Sequence, residues 1–122
     1  MIVRYTRDRG YEGTGKDPYL TFGKDYVVFF IDFTAPSPMV AVLCPDGDAA
    51  MFDLRYFDIL DSRIPPEWCF GRFGEGLHAL MPEEYFFKSL NLYSDRNEVE
   101  DLIFQKLRRK LERFHGIEQD SS

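Results

Sequence analysis

Short runs of β-branched and aromatic residues between Leu20 and Leu60 constrain the fold of this chain more than any other feature. The runs are separated by Gly, Pro and Asp, and this arrangement is typical of consecutive antiparallel strands. It predicts strands over residues 1–7, 26–33, 39–44, 49–53 and 56–60. Leu54 and Arg55 are predicted to form one turn of tight helix before the last strand. The Pro45–Asp48 segment is typical of a tight hairpin turn.

The paired prolines Pro65 and Pro66 mark a boundary after these strands, because proline pairs hold a chain extended. Residues 67–73 and 77–81 then flank a glycine-rich connection, and they predict a second hairpin. Trp68 alternates with Phe70 and Arg72 along the first strand of this hairpin. We interpret Trp68 as a core aromatic.

Two helices are predicted after the hairpin. The first begins at Pro82, where Glu83 and Glu84 suit the positive end of a helix dipole, and runs to about Leu92. The second begins at Asp95, because Glu98 stands at capping-box spacing, and Gly116 ends it, next to His115. Its predicted apolar stripe consists of Val99, Leu102, Ile103, Leu107, Leu111 and Phe114.

The segment 20–28 and the later Phe52, Phe57 and Ile59 resemble small bacterial SH3-like domains. The resemblance covers roughly residues 1–60, half of the chain, and it implies an SH3-like antiparallel β-barrel over residues 1–61. The predicted fold is therefore α+β: this barrel, then a β-hairpin and two C-terminal helices over residues 62–122, packed on the barrel as one compact domain. The acidic first loop and paired aromatics of peptide-binding signalling SH3 domains are not evident, so that activity is not implied.

Charge is concentrated in the predicted barrel. Residues 17–61 hold two basic and eight acidic side chains, a net −6, in a chain whose total charge is also −6. Such an acidic body argues against a nucleic-acid partner, because phosphate contacts need Lys and Arg. The sequence has neither a signal peptide nor an apolar run long enough to span a bilayer, which predicts a cytoplasmic protein. Cys44 and Cys69 are predicted to be buried free thiols, although a disulfide between them is open.

Candidate catalytic motifs are better explained by structural roles. The segment Gly10–Lys16 matches a phosphate-binding loop, but Asp17 occupies the position of the required Ser or Thr and no helix follows, so we reject the motif. His78 and His115 lack partners at metal-ligand spacing, and His115 is predicted to cap a helix end. We therefore predict no enzymatic activity, no cofactor and no metal site.

The function predicted is protein binding. A small, acidic, aromatic-rich chain with an Ile64–Trp68 segment and a Pro82–Tyr85 helix start is similar in build to bacterial toxin-system immunity proteins. The resemblance implies that an acidic surface occludes the active site of a basic toxin domain. The acidic residues predicted to contact that partner are Asp32, Asp46, Asp48, Asp58 and Asp61. The oligomeric state is not predicted.

An alternative hypothesis assigns the chain to another class of protein. Arg4, Arg7 and Arg9, together with the basic C-terminal helix, are the groups that a nucleic-acid-associated or ribosome-associated SH3-like module would use. A continuous acidic surface favours the first hypothesis. A basic stripe joining the two termini favours the second.

Overall fold

The computed structural model describes residues 1–8, 10, 19–34, 36–45, 47, 49–73, 76–84 and 96–117. These residues form one antiparallel sheet and one long helix. The strands are β1 (Ile2–Tyr5), β2 (Asp25–Asp32), β3 (Met39–Leu43), β4 (Ala49–Asp53), β5 (Phe57–Asp61), β6 (Cys69–Phe73) and β7 (Leu77–Met81). A 3-10 turn (Leu54–Tyr56) precedes β5, and the helix, α1, is Glu98–Phe114. Each strand therefore lies within two residues of its predicted position.

Strand β2 is the centre of the sheet. Its neighbouring residues Val28 and Phe29 are only 0% and 1% exposed, so both faces of the strand are covered, as its almost uniformly apolar sequence predicts. β3 pairs with one edge of β2. The other edge pairs with β1 near Asp25 and with β7 near Ile31. β1 and β7 therefore lie end to end along the same edge, with β5 beyond β1 and β6 beyond β7.

The sheet is open, and the predicted SH3-like barrel is wrong. The strand path runs β4-β3-β2-β1-β5, and no ladder among the described residues joins β4 to β5. β2 is eight residues long, so β1 occupies only part of its edge and leaves the rest for β7. The second hairpin extends the sheet sideways instead of packing on a closed barrel. Strand patterns locate strands, but they do not reveal which edge receives a later hairpin.

The prediction of two C-terminal helices is also wrong for the described part of the chain, where α1 is the single long helix. The segment predicted as the first helix falls largely on residues 85–95, outside the described ranges. The cap of α1 lies two residues later than predicted. The Asn97 side chain accepts from the Glu100 N–H at 2.8 Å, and the Glu100 carboxylate accepts from the Asn97 N–H at 3.2 Å.

Helix α1 packs on β2 through stacked aromatic rings. The rings of Phe29 and Phe104 lie 5.2 Å apart and 16° from parallel, and Phe104, Leu107 and Leu111 are buried. Leu107 and Leu111 confirm part of the predicted stripe. Val99 and Leu102 do not, because both are exposed. The face that packs is set by Phe104, which the predicted stripe omitted.

The end of α1 is fastened to the sheet by His115, which is confirmed as the C-terminal cap. Its imidazole is fully buried, with Nδ1 3.0 Å from Asp61 Oδ2 and Nε2 2.8 Å from the Met1 amine. Burial lowers the pKa of His115, and it lowers the pKa of the Met1 amine to about 6. The Arg63 guanidinium holds the pKa of Asp61 far below its usual range. A neutral imidazole that donates from Nδ1 fits this arrangement.

Other predicted features are found in the described residues. Trp68 is buried, as predicted. Cys44 and Cys69 are free thiols, the first buried and the second half-buried. None of the helices in the described ranges combines the length and the hydrophobicity that crossing a bilayer requires.

Candidate functional site

Four side chains on the β6–β7 hairpin and the end of β2 form the most distinctive exposed surface of the described residues. Phe70 and Arg72 are two residues apart on β6, and Arg72 is directly opposite His78 on β7. The Phe33 N–H donates to the His78 carbonyl at 2.8 Å, which extends the β2–β7 pairing by one residue. Directly opposite residues, and residues two apart, share a face of a sheet. We call the group Phe33, Phe70, Arg72 and His78 the aromatic face.

The two phenyl rings of the aromatic face contact each other in the open. Phe70 is 64% exposed and Phe33 is 43% exposed. Their centroids lie 6.0 Å apart with the rings inclined at 60°, an edge-to-face contact. A single exposed apolar residue is ordinary, and large contiguous apolar patches mark interaction surfaces. Two exposed rings in contact make this face a candidate for such a surface.

Hydrogen bonds fix the turn that carries Phe33. The Asp32 carboxylate accepts from the Thr34 N–H at 2.8 Å. The Thr34 hydroxyl in turn accepts from the His78 N–H at 2.8 Å. These bonds tie the end of β2 to β7, so the Phe33 ring is held beside β6. Asp32, predicted to contact a partner, therefore supports the aromatic face through this turn.

The charge of the aromatic face differs from that of the surrounding sheet. Arg72 and His78 are exposed, and Arg72 has no ion-pair partner among the residues that the structure describes. Four other arginines each lie 2.7 to 3.1 Å from an aspartate carboxylate. These are Arg4, Arg7, Arg55 and Arg63. Within the described ranges, Arg72 thus presents a positive charge without an ion-pair partner, on a protein of net charge −6.

The predicted acidic contact residues do not form one cluster. Asp58 on β5 lies 3.1 Å from Arg7, and Asp61 is bound to both Arg63 and His115. Asp32 lies at the far end of β2, beside β7 rather than β5. Asp46 and Asp48 lie outside the described residues.

Several basic groups of the alternative hypothesis form ion pairs within the protein. Arg4 binds Asp25 at 2.7 Å, and Arg9 lies outside the described residues. On α1, Arg108 binds Glu112 at 2.9 Å. Lys110 lies within 3.1 to 3.9 Å of three carboxylates, those of Glu67, Glu83 and Glu84. Arg4, Arg7, Arg108 and Lys110 are therefore already paired, whereas Lys106 and Arg113 on α1 are exposed and form no ion pair among the described residues.

A groove of about 240 Å³ lies between α1 and the strands β2 and β3. Its charged lining includes Lys24, Asp25, Arg108 and Glu112. Asp25 is paired with Arg4, and Arg108 with Glu112, so most of these charges are already satisfied. Within the described ranges, no three His, Cys, Asp or Glu side chains are placed to hold a metal ion.

Comparison of this chain with protein families, with curated proteins and with solved structures found no match. Function is therefore inferred from the side chains themselves. Among the described residues, only the aromatic face has two exposed rings in contact with each other.

Proposed function

We propose that this chain is a protein-binding domain and that the aromatic face is its binding surface. The observation that carries the proposal is the contact between two exposed rings, Phe33 and Phe70, beside the unpaired Arg72. Aromatic and arginine side chains are enriched where proteins bind one another. The hydrogen bonds of Asp32 and Thr34 support a preformed surface, which lowers the entropy lost on binding.

The chemistry of the aromatic face defines its partner. The two rings suit an apolar side chain, and covering their exposed parts removes roughly 200 Å² of apolar surface, about 5 kcal/mol before the costs of association. Arg72 suits a carboxylate, to which a guanidinium donates two parallel hydrogen bonds. The partner proposed is therefore a protein segment that carries an apolar side chain close to an acidic one.

Occlusion of a basic toxin site by an acidic surface stays a prediction. A partner that used Asp58 and Asp61 would compete with Arg7, Arg63 and His115 for the same carboxylates. The aromatic face needs no such exchange, and for that reason we favour it. No contact in the described residues favours the nucleic-acid alternative.

Differential capture from extracts of the native cells tests the proposal. Phe70→Ser and Arg72→Glu remove the ring and reverse the charge, and Val99→Ser is the matched control because Val99 is 66% exposed on α1. We expect wild type and Val99→Ser to retain the same protein, and the two aromatic-face variants to lose it. With that protein purified, the Kd should rise at least tenfold for each of the two variants.

Stability measurements accompany the capture, because a partner lost through unfolding is uninformative. Phe70 and Arg72 are exposed, so their substitution should leave the urea midpoint nearly unchanged. If both variants bind every captured protein as tightly as wild type, or if wild type retains only RNA, the proposal is wrong.

A further inference from the structure

Strand β6 is an edge of the sheet in the described part of the chain. It pairs with β7 on one side through an unbroken register from Cys69 opposite Met81 to Phe73 opposite Leu77. No described strand pairs with its other side. The side chains of Phe70 and Arg72, which belong to this strand, are exposed.

The pairing determines which backbone groups of β6 point outward. The His78 carbonyl accepts from Phe33, and the His78 N–H donates to Thr34, so the backbone of His78 faces β2. In an antiparallel sheet, successive residues direct their N–H and C=O to opposite sides. Ala79 therefore faces β6 and bonds with Gly71, its register partner. The N–H and C=O groups of Phe70 and Arg72 must then point away from β7, towards the open edge.

We infer that β6 binds an extended segment of its protein partner as an additional strand, an inference that rests on the proposed function of the aromatic face. The outward groups of Phe70 and Arg72 supply two donors and two acceptors for that strand. A residue directly opposite each of them places its side chain on the same face of the sheet. The added strand therefore runs antiparallel to β6, with an acidic residue opposite Arg72, one intervening residue and then an apolar residue opposite Phe70. Backbone bonds supply affinity, and the two side chains supply selectivity.

The edge formed by β5 is less suited to strand addition. On β5 the pairing with β1 passes from Asp61 to Ile59 and skips Leu60, which marks a bulge. A bulge hinders the pairing of a new strand, and the carboxylate of Asp58 on β5 disfavours an acidic segment. β6 has neither a bulge in its ladder nor a carboxylate in its sequence.

A second copy of this chain is a less suitable partner than an acidic segment. If two β6 strands paired about Gly71, each Arg72 would lie opposite a Phe70 and would find no carboxylate. The net charge of −6 on each copy also opposes association.

Peptide selection tests the inference. A displayed library of random dodecapeptides is selected on the full wild-type chain and counter-selected on Arg72→Glu. We expect the selected sequences to share Asp or Glu, one variable residue and then an apolar residue, which is the order in which an antiparallel strand meets Arg72 and then Phe70. A synthetic peptide of this type is next made as a series in which single backbone nitrogens are N-methylated. Binding to the wild-type chain is measured by fluorescence anisotropy.

Strand addition predicts a period of two in that series. Methylation should weaken binding at least tenfold where the peptide N–H faces β6, and less than threefold at the adjacent residues, whose N–H groups face away. Uniform tolerance of methylation, or a selection that yields no such peptide, overturns the inference. If the peptides tolerate methylation uniformly but bind Phe70→Ser more weakly than wild type, the aromatic face remains the site and only strand addition fails. If Phe70→Ser binds the peptides like wild type, the proposed function fails with it. Sedimentation showing a wild-type dimer that Arg72→Glu disrupts would identify a second copy as the occupant and would also overturn the inference.

Discussion

Replacing Phe104 with alanine should destabilise this protein more than any substitution on the exposed side of α1. The ring is fully buried and stacks on Phe29 at 5.2 Å. The guanidinium of Arg96 lies 4.1 Å from the centroid of the same ring. Truncation of a buried Phe to Ala costs about 3–5 kcal/mol, because apolar burial is lost and a cavity remains. A loss of about 4 kcal/mol is a large part of the 5–15 kcal/mol that typically separates folded from unfolded domains.

Leu102→Ala is the matched control, because Leu102 is on the same helix but 63% exposed. It should change the free energy of unfolding by less than about 0.5 kcal/mol. Urea unfolding followed by the fluorescence of Trp68, the only tryptophan and a buried one, measures both variants. Phe104→Ala should also lower the Tm by roughly 15 °C in a domain of this length. An equal or greater loss of stability in Leu102→Ala would refute the packing described for α1.

Three further predictions concern stability and reactivity. The pKa values of His115 and of the Met1 amine, the latter about 6, are lower in the folded protein than in the unfolded chain. The unfolded chain therefore binds more protons as the pH falls from 8 to 5. The urea midpoint should fall over that range, and it should fall less in His115→Gln; a midpoint independent of pH would contradict the burial of these groups. Asn97→Ala removes the capping box and should cost about 1 kcal/mol in urea unfolding, whereas an unchanged midpoint would place the cap elsewhere. In the native protein a thiol reagent should modify half-buried Cys69 faster than buried Cys44, and equal rates would show that Cys44 is accessible.

Only part of the candidate site could be predicted from the sequence. Alternation along residues 67–73 correctly predicted the hairpin and placed Phe70 and Arg72 on the same side of a strand, but it also placed Trp68 there, which is buried and precedes β6. An arginine two residues from an aromatic was a signal that this side is exposed, because charged side chains rarely face a core. Phe33 could not be added to the group from the sequence. It is 37 residues from Phe70 in the chain, and only the pairing of β7 with β2 brings the two rings together.

For the acidic residues, the sequence shows where they are but not which of them form ion pairs. Counting charges correctly finds that residues 17–61 are acidic, but it does not reveal that Asp58 and Asp61 are bound to Arg7 and Arg63. The Asp61–Arg63 pair is local, two residues apart, whereas the Asp58–Arg7 pair depends on β5 lying beside β1 in the folded sheet. Net charge is therefore a poor guide to where this protein presents unpaired charge.

The sequence by itself determined where strands, turns and the long helix occur, because these depend on alternation, turn residues and capping over a few neighbouring positions. The tertiary structure alone decided that the sheet stays open, that Phe104 rather than Leu102 faces β2, and that Phe33 meets Phe70. Each of these depends on contacts between residues far apart in the chain. Several strand edges and helix faces have similar local sequences. The packing of the whole domain therefore determined which of them make the observed contacts.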